Sequence, residues 1–225
     1  MMTNLFSIFD PSSNSLLSLG WISMVLYMLM LKSNFWVISS KLSLVYKNLM
    51  SLLSKEFETI LGMKNKFLII LLISVFIFIM MNNSMGLLPY VFNSTSHMSI
   101  TMSMALPIWL GLNLFGWINQ LKSMLAHLVP QSTPTALMPF MVLIESTSNI
   151  IRPLTLAIRL SANMIAGHLL MTLLGNQFSI NALSMIMPIM LVQIMLTTLE
   201  TAVSIIQAYV FTILTTLYIN EIPSN

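Results

Sequence analysis

The chain has 225 residues, 57% apolar and 7% charged, with a mean hydropathy of +0.90. That composition belongs to an integral membrane protein. A net charge of +3, from nine basic and six acidic residues, is too small for a nucleic-acid surface. The lack of cysteine leaves no basis for a disulfide framework, a zinc site or thiol chemistry.

Up to Leu31 there is no Lys or Arg, so neither a secretory signal nor an Arg-rich transit peptide is expected. Residues 11–31 are uncharged and long enough to cross a ~30 Å hydrocarbon core once. Residues 34–63 differ in kind. Leu42, Val45, Leu49, Leu52, Leu53, Phe57 and Ile60 recur at helical spacing, with Lys47, Ser51, Ser54 and Glu58 opposite. This pattern predicts an amphipathic helix on the membrane surface, since there is no soluble domain for it to join.

Between Phe67 and Leu121 there is no Lys, Arg, Asp or Glu. Turn residues from Asn82 to Gly86 and from Leu88 to His97 divide the stretch into a hairpin, 67–82 and 97–121. Trp117 lies near enough to an end to anchor at the interface. A loop is expected at about 122–133, carrying Lys122, His127 and Pro130, with Pro134 just beyond. Both His97 and His127 read as loop histidines.

Segments 134–175 and 180–221 are each about 40 residues, or ~60 Å as helix, twice the hydrocarbon thickness. They must tilt steeply, bend at Pro153 and Pro188, or both. A pair lying aslant can wrap a curved partner surface. The expected fold is one all-α membrane domain over 1–225, with about five crossing helices and one surface helix. Lys32, Lys41, Lys47, Lys55, Lys64, Lys66 and Lys122 then share one side, which the positive-inside rule makes cytoplasm or matrix. The N-terminus falls outside and the C-terminus inside.

The chemistry concentrates in the last two segments. A guanidinium at membrane depth costs at least ~3 kcal/mol, and Arg cannot shed its proton to escape. After Arg159 no Lys, Arg, Asp or Glu follows until Glu200. Helical phase keeps Glu145, Ser148, Asn149, Arg152, Thr155, Arg159 and Asn163 within about 40° of one another, although Pro153 blurs the phase. His168 points to the opposite face. Gln193, Glu200 and Gln207 repeat every seven residues, with Ser204 between. In height, Glu145 lies inward, Arg159 near the midplane and His168 about 13 Å further out. Glu200 lies toward the outer end of the last helix, and Gln207 near the level of Arg159. Two sets of titratable groups, one opening to each side of a fixed cation, are what a proton path with a deliberate break requires.

The run from Arg159 to His168, the run from Glu200 to Tyr209 and the five-span layout resemble the a-subunit family of F-type ATP synthases, across essentially the whole chain. Bacterial members usually carry Glu where this chain has His168, and His where it has Glu200. The exchanged pair, together with 22 methionines that fit an AT-rich organellar coding bias, resembles animal mitochondrial members. It also suggests that His168 and Glu200 face each other.

The resemblance implies a stator lying against a rotating c-ring, each c subunit bearing one membrane carboxylate. His168 and Glu200 would serve an outer half-channel and Glu145 an inner one. Arg159 would hold the deprotonated ring carboxylate and block leakage, with Asn163 and Gln207 as polar support. No cofactor or metal is implied, the only small-molecule substrate is the proton, and ATP chemistry belongs to other subunits. Expected partners are the c-ring, peripheral-stalk and other small membrane subunits and the bilayer of the mitochondrial inner membrane, with no nucleic acid. The N-terminus would face the intermembrane space and the C-terminus the matrix.

Blander readings stand beside these. Arg159 could pair with Glu145 or Glu200, neither a near helical neighbour. Arg152 could be a snorkelling interfacial arginine. Glu200 could be a buried protonated acid, His168 a hydrogen-bonded core histidine, and Asn163 and Gln207 interhelical glue. A secondary transporter would need repeats and broken helices around a solute site, and an anchor subunit would leave Arg159 unexplained.

Overall fold

The structure, a computed structural model, describes residues 5–12, 18–25, 40–62, 66–88, 91–119, 121–129, 134, 137–177 and 186–221. Most of the predicted span 11–31 therefore lies outside the described residues, as do 34–39 of the surface segment. Two short 3-10 helices, Leu5–Phe9 and Leu19–Ile22, come first. The α-helices follow as α1 (Lys41–Leu61), α2 (Lys66–Gly86), α3 (Met98–Asn119), α4 (Leu121–His127), α5 (Met138–Gln177) and α6 (Ile186–Glu221). Among the described residues, four helices are long and apolar enough to cross a membrane: α2, α3, α5 and α6.

Helix α1 begins at Ser40, whose hydroxyl accepts the Ser43 N–H, and ends at Gly62 with φ +72°, a conformation glycine adopts without a Cβ penalty. Its predicted apolar face divides in two. Phe57 is fully buried against Ile69, Leu72 and Ile219, and Leu53 joins the packing, while Val45, Leu49 and Leu52 stay exposed. The helix is thus packed on α2 and α6 through Leu53 and Phe57 and leaves Val45, Leu49 and Leu52 uncovered.

The end of α2 and the loop after α3 differ from the sequence reading. Asn82 and Asn83, read as turn formers, belong to α2, which continues to Gly86. Asn82 Nδ2 bonds the Phe78 carbonyl, and Asn83 Oδ1 accepts the Thr95 hydroxyl at 2.9 Å. With those partners two asparagines can end a buried helix. The expected loop at 122–133 also contains α4, so its first part is helical.

Helix α5 runs unbroken through Pro153, so no helix break is needed to house it. Pro188 falls in the first turn of α6, where a missing N–H costs no intrahelical bond. The two helices are 40 and 36 residues long, Met138–Gln177 and Ile186–Glu221. They pack antiparallel: Arg152 meets Tyr218, Asn163 meets Gln207 and Gly167 meets Glu200. The central core is apolar, with Phe76, Ile79, Ala105, Leu156, Ala157, Leu160, Ala208 and Phe211 drawn from all four long helices.

Candidate functional site

Helix α5 buries one face and bares another. Leu156, Ala157, Leu160 and Met164 enter the core. Thr155, Arg159, Ala162, Ala166 and Leu170 are exposed, and they fall on one face at helical spacing. Arg159 is thus the charged member of an exposed stripe that is otherwise uncharged, halfway along a 40-residue helix. Among the described residues no carboxylate lies within ion-pair distance of it. The bland pairings with Glu145 and Glu200 are absent. Glu145 instead lies 3.7 Å from Arg152, and Glu200 is buried elsewhere.

One turn beyond Arg159, Asn163 Nδ2 donates to Gln207 Oε1 at 3.1 Å. Gln207 is buried, so its amide would be stranded without that partner. Bonds of this kind between membrane helices average about 0.6 kcal/mol. This one fixes the register of α6 against α5 next to the cation.

Further along α5, His168 and Glu200 line one cavity of about 200 Å³ with Leu87, Asn163, Met164, Ala166, Gly167, Leu170, Leu196, Leu199 and Val203. Glu200 is only 8% exposed. Among the described residues, His168 Nε2 and both Glu200 carboxylate oxygens are buried without a hydrogen-bond partner. The two side chains therefore share a chamber without bonding each other. Gly167 makes the arrangement possible, since a Cβ there would stand 2.6 Å from Glu200 Oε1.

Toward the other end of α5 a larger cavity, about 920 Å³, is walled by α3, α4, α5 and α6. Glu145, Asn149 and Arg152 line it together with Trp109, Asn113, Trp117, Tyr218 and Asn220. The Arg152 guanidinium sits over the Tyr218 ring, 5.3 Å from its centroid. Arg152 is thus engaged on both flanks by protein, beyond simple snorkelling. The Glu145 carboxylate stays partly exposed within reach of it. Arg159 lies along α5 between the two cavities and lines neither of them.

Sequence reasoning missed the hairpin tip between α2 and α3. Asn82, Asn83, Asn93, Ser94, Thr95, Ser96 and Thr101 are each at most 6% exposed. Thr95 bonds Asn83 and Asn93, and Ser96 donates to the Asn93 carbonyl. The segment Ser94–Ser96 packs on α2, α3 and α5. His97, read as a loop histidine, is held there against Trp21 and Phe92 with Nε2 3.0 Å from the Phe9 carbonyl. The density of Asn, Ser and Thr between residues 82 and 101 was the only available signal, and it reads equally well as a solvated turn.

The family model described as ATP synthase A chain matches residues 15–220. ATP synthase subunit a of Locusta migratoria is 54% identical over 225 residues, covering 99% of this chain and all of that protein. The proteins of the same name from Drosophila melanogaster and Aedes aegypti are 52% and 51% identical, again over 99% of this chain and their whole length. Helices, length and relatives agree: this chain belongs to the ATP synthase A chain family, the non-catalytic, proton-translocating membrane-sector subunits.

Proposed function

We propose that the chain is the stationary wall of two offset proton half-channels and couples proton flow to rotation of a c-ring in the mitochondrial inner membrane. The observation that carries this reading is Arg159, exposed at mid-helix and unmatched by any described acid of its own chain. A permanent cation so placed is stable only if a partner supplies the counter-charge. The small side chains of Ala162 and Ala166 beside it let another helix approach closely.

Two cavities, one on either side of Arg159 along α5, support this reading. On the outer side a proton reaches the His168–Glu200 chamber, where both groups have free polar atoms and 200 Å³ holds several waters at ~30 Å³ each. It passes to a ring carboxylate that has just left Arg159. Neutralised, that carboxyl can cross lipid at far lower cost than its anion. After nearly a full turn it meets the inner cavity, loses its proton toward Glu145, and is drawn to Arg159 as an anion. The guanidinium also stands between the chambers, so a proton passing straight through would have to cross a fixed positive charge. Each proton contributes ~2.3 kcal/mol per 100 mV, so several are needed for one ATP. In this reading the N-terminus faces the intermembrane space and the C-terminus the matrix.

The testing variant is Arg159→Ala in the assembled complex. Proton-driven ATP synthesis is expected to vanish while the complex still assembles. Arg159→Lys should substitute poorly, because a desolvated ammonium can release its proton. Coupled synthesis at the unaltered rate in Arg159→Ala would reject the assignment.

A further inference from the structure

The N-terminal 3-10 helix Leu5–Phe9 is not a free tail. It packs on α5, and the Phe9 ring meets the His168 ring edge-on, with centroids 6.4 Å apart. What holds it there is His97. The Phe9 carbonyl can only accept, so His97 Nε2 carries the proton and donates across 3.0 Å. That donor survives in both the neutral Nε2–H tautomer and the imidazolium. The imidazole is itself braced, its centroid 5.3 Å from each of the Trp21 and Phe92 rings, which meet each other edge-on at 5.7 Å. A Cβ at Gly20 would stand 3.0 Å from the Pro11 carbonyl oxygen and 3.3 Å from Phe92 Cγ. The segment after Phe9 is thus seated closely against the same aromatic cluster.

We infer that His97 is a positioning residue for the outer proton path: it pins the N-terminal helix so that Phe9 covers one flank of His168. The cover restricts the approach to the imidazole on that flank and limits its rotation toward or away from the Glu200 chamber. The N-terminal segment thereby belongs to the conducting apparatus. This rests on the reading of His168 as a group of the outer half-channel, and the test separates the two.

The test is the rate at which diethyl pyrocarbonate modifies His168 in the intact complex in its membrane, read residue by residue by mass spectrometry. The reagent is much larger than water and reports cover rather than proton transfer. Phe9→Ala should raise the rate severalfold. His97→Phe keeps an aromatic ring against Trp21 and Phe92 but loses the donor. It should raise the rate about fivefold, the equilibrium effect of one lost neutral hydrogen bond. His97→Gln, whose amide can donate to the same carbonyl, should stay near the unaltered rate. Unchanged labelling in Phe9→Ala and His97→Phe would overturn the inference, and so would a His97→Gln rate equal to that of His97→Phe. Full ATP synthesis in His168→Gln would instead overturn the outer-channel reading and leave the cover standing.

Discussion

Gly167 offers the sharpest separation between holding the helices together and placing a proton group. In Gly167→Ala the new Cβ would meet Glu200 Oε1 at 2.6 Å and Cδ at 2.9 Å, where ordinary contact begins at 3.4 Å. The carboxylate must retreat by about 0.8 Å. It is the far end of a flexible side chain beside a 200 Å³ cavity, so it has somewhere to go. The cost is that of an off-rotamer side chain, ~0.5–1.5 kcal/mol, too little to part α5 from α6. Function should suffer far more, because misplacing a reacting group by about 1 Å can cost ~100-fold. The complex should therefore assemble on native gels while ATP synthesis, driven by an imposed proton gradient in inverted vesicles, falls about ten- to a hundredfold. If assembly itself fails, adding Glu200→Asp shortens the side chain away from the Cβ and should restore it. Assembled Gly167→Ala complex working at the full rate would refute the reasoning.

Other consequences follow from the same contacts. Phe57→Ala empties a fully buried site between α1, α2 and α6 and should cost ~3–5 kcal/mol, visible as a lowered thermal midpoint of the complex. Thr95→Val keeps the shape but removes the hydroxyl bonded to Asn83 and Asn93. That should cost ~1–3 kcal/mol by the same measurement, and none would mean the tip is not a structural unit. Asp10 accepts the Ser12 N–H at 3.1 Å, which holds its carboxyl below the ordinary carboxylate range. A depressed folded-state value stabilises the turn above that range and fades as pH falls through it. Protease resistance around residue 10 should drop with acidification in the unaltered chain and lose that dependence in Asp10→Asn.

Much of this architecture is legible in the residues. Apolar length gives α2, α3, α5 and α6, and helical phase alone separates Arg159 from His168 on α5. The Asn163–Gln207 bond was legible only as two polar groups near one height, because periodicity assigns faces and levels but no partners. The same limit explains His168 and Glu200: their exchange relative to bacterial members suggested direct facing, and the structure gives a shared cavity without a bond. The hairpin tip was opaque for another reason. Asn, Ser and Thr have the same turn chemistry in water and in a buried cluster, and only tertiary packing distinguishes the two. The docking of Phe9 beneath His97 joins residues 88 positions apart, beyond any local pattern.

The central claim is that the guanidinium of Arg159 is answered by an acid on a moving neighbour. A map of the assembled membrane sector, sharp enough to place side chains where this chain meets the ring, decides it directly. The exposed stripe of α5 should be turned to the ring, with Arg159 facing a c-subunit carboxylate and no acid of its own chain. A guanidinium turned to lipid, or satisfied within its own polypeptide, would contradict it.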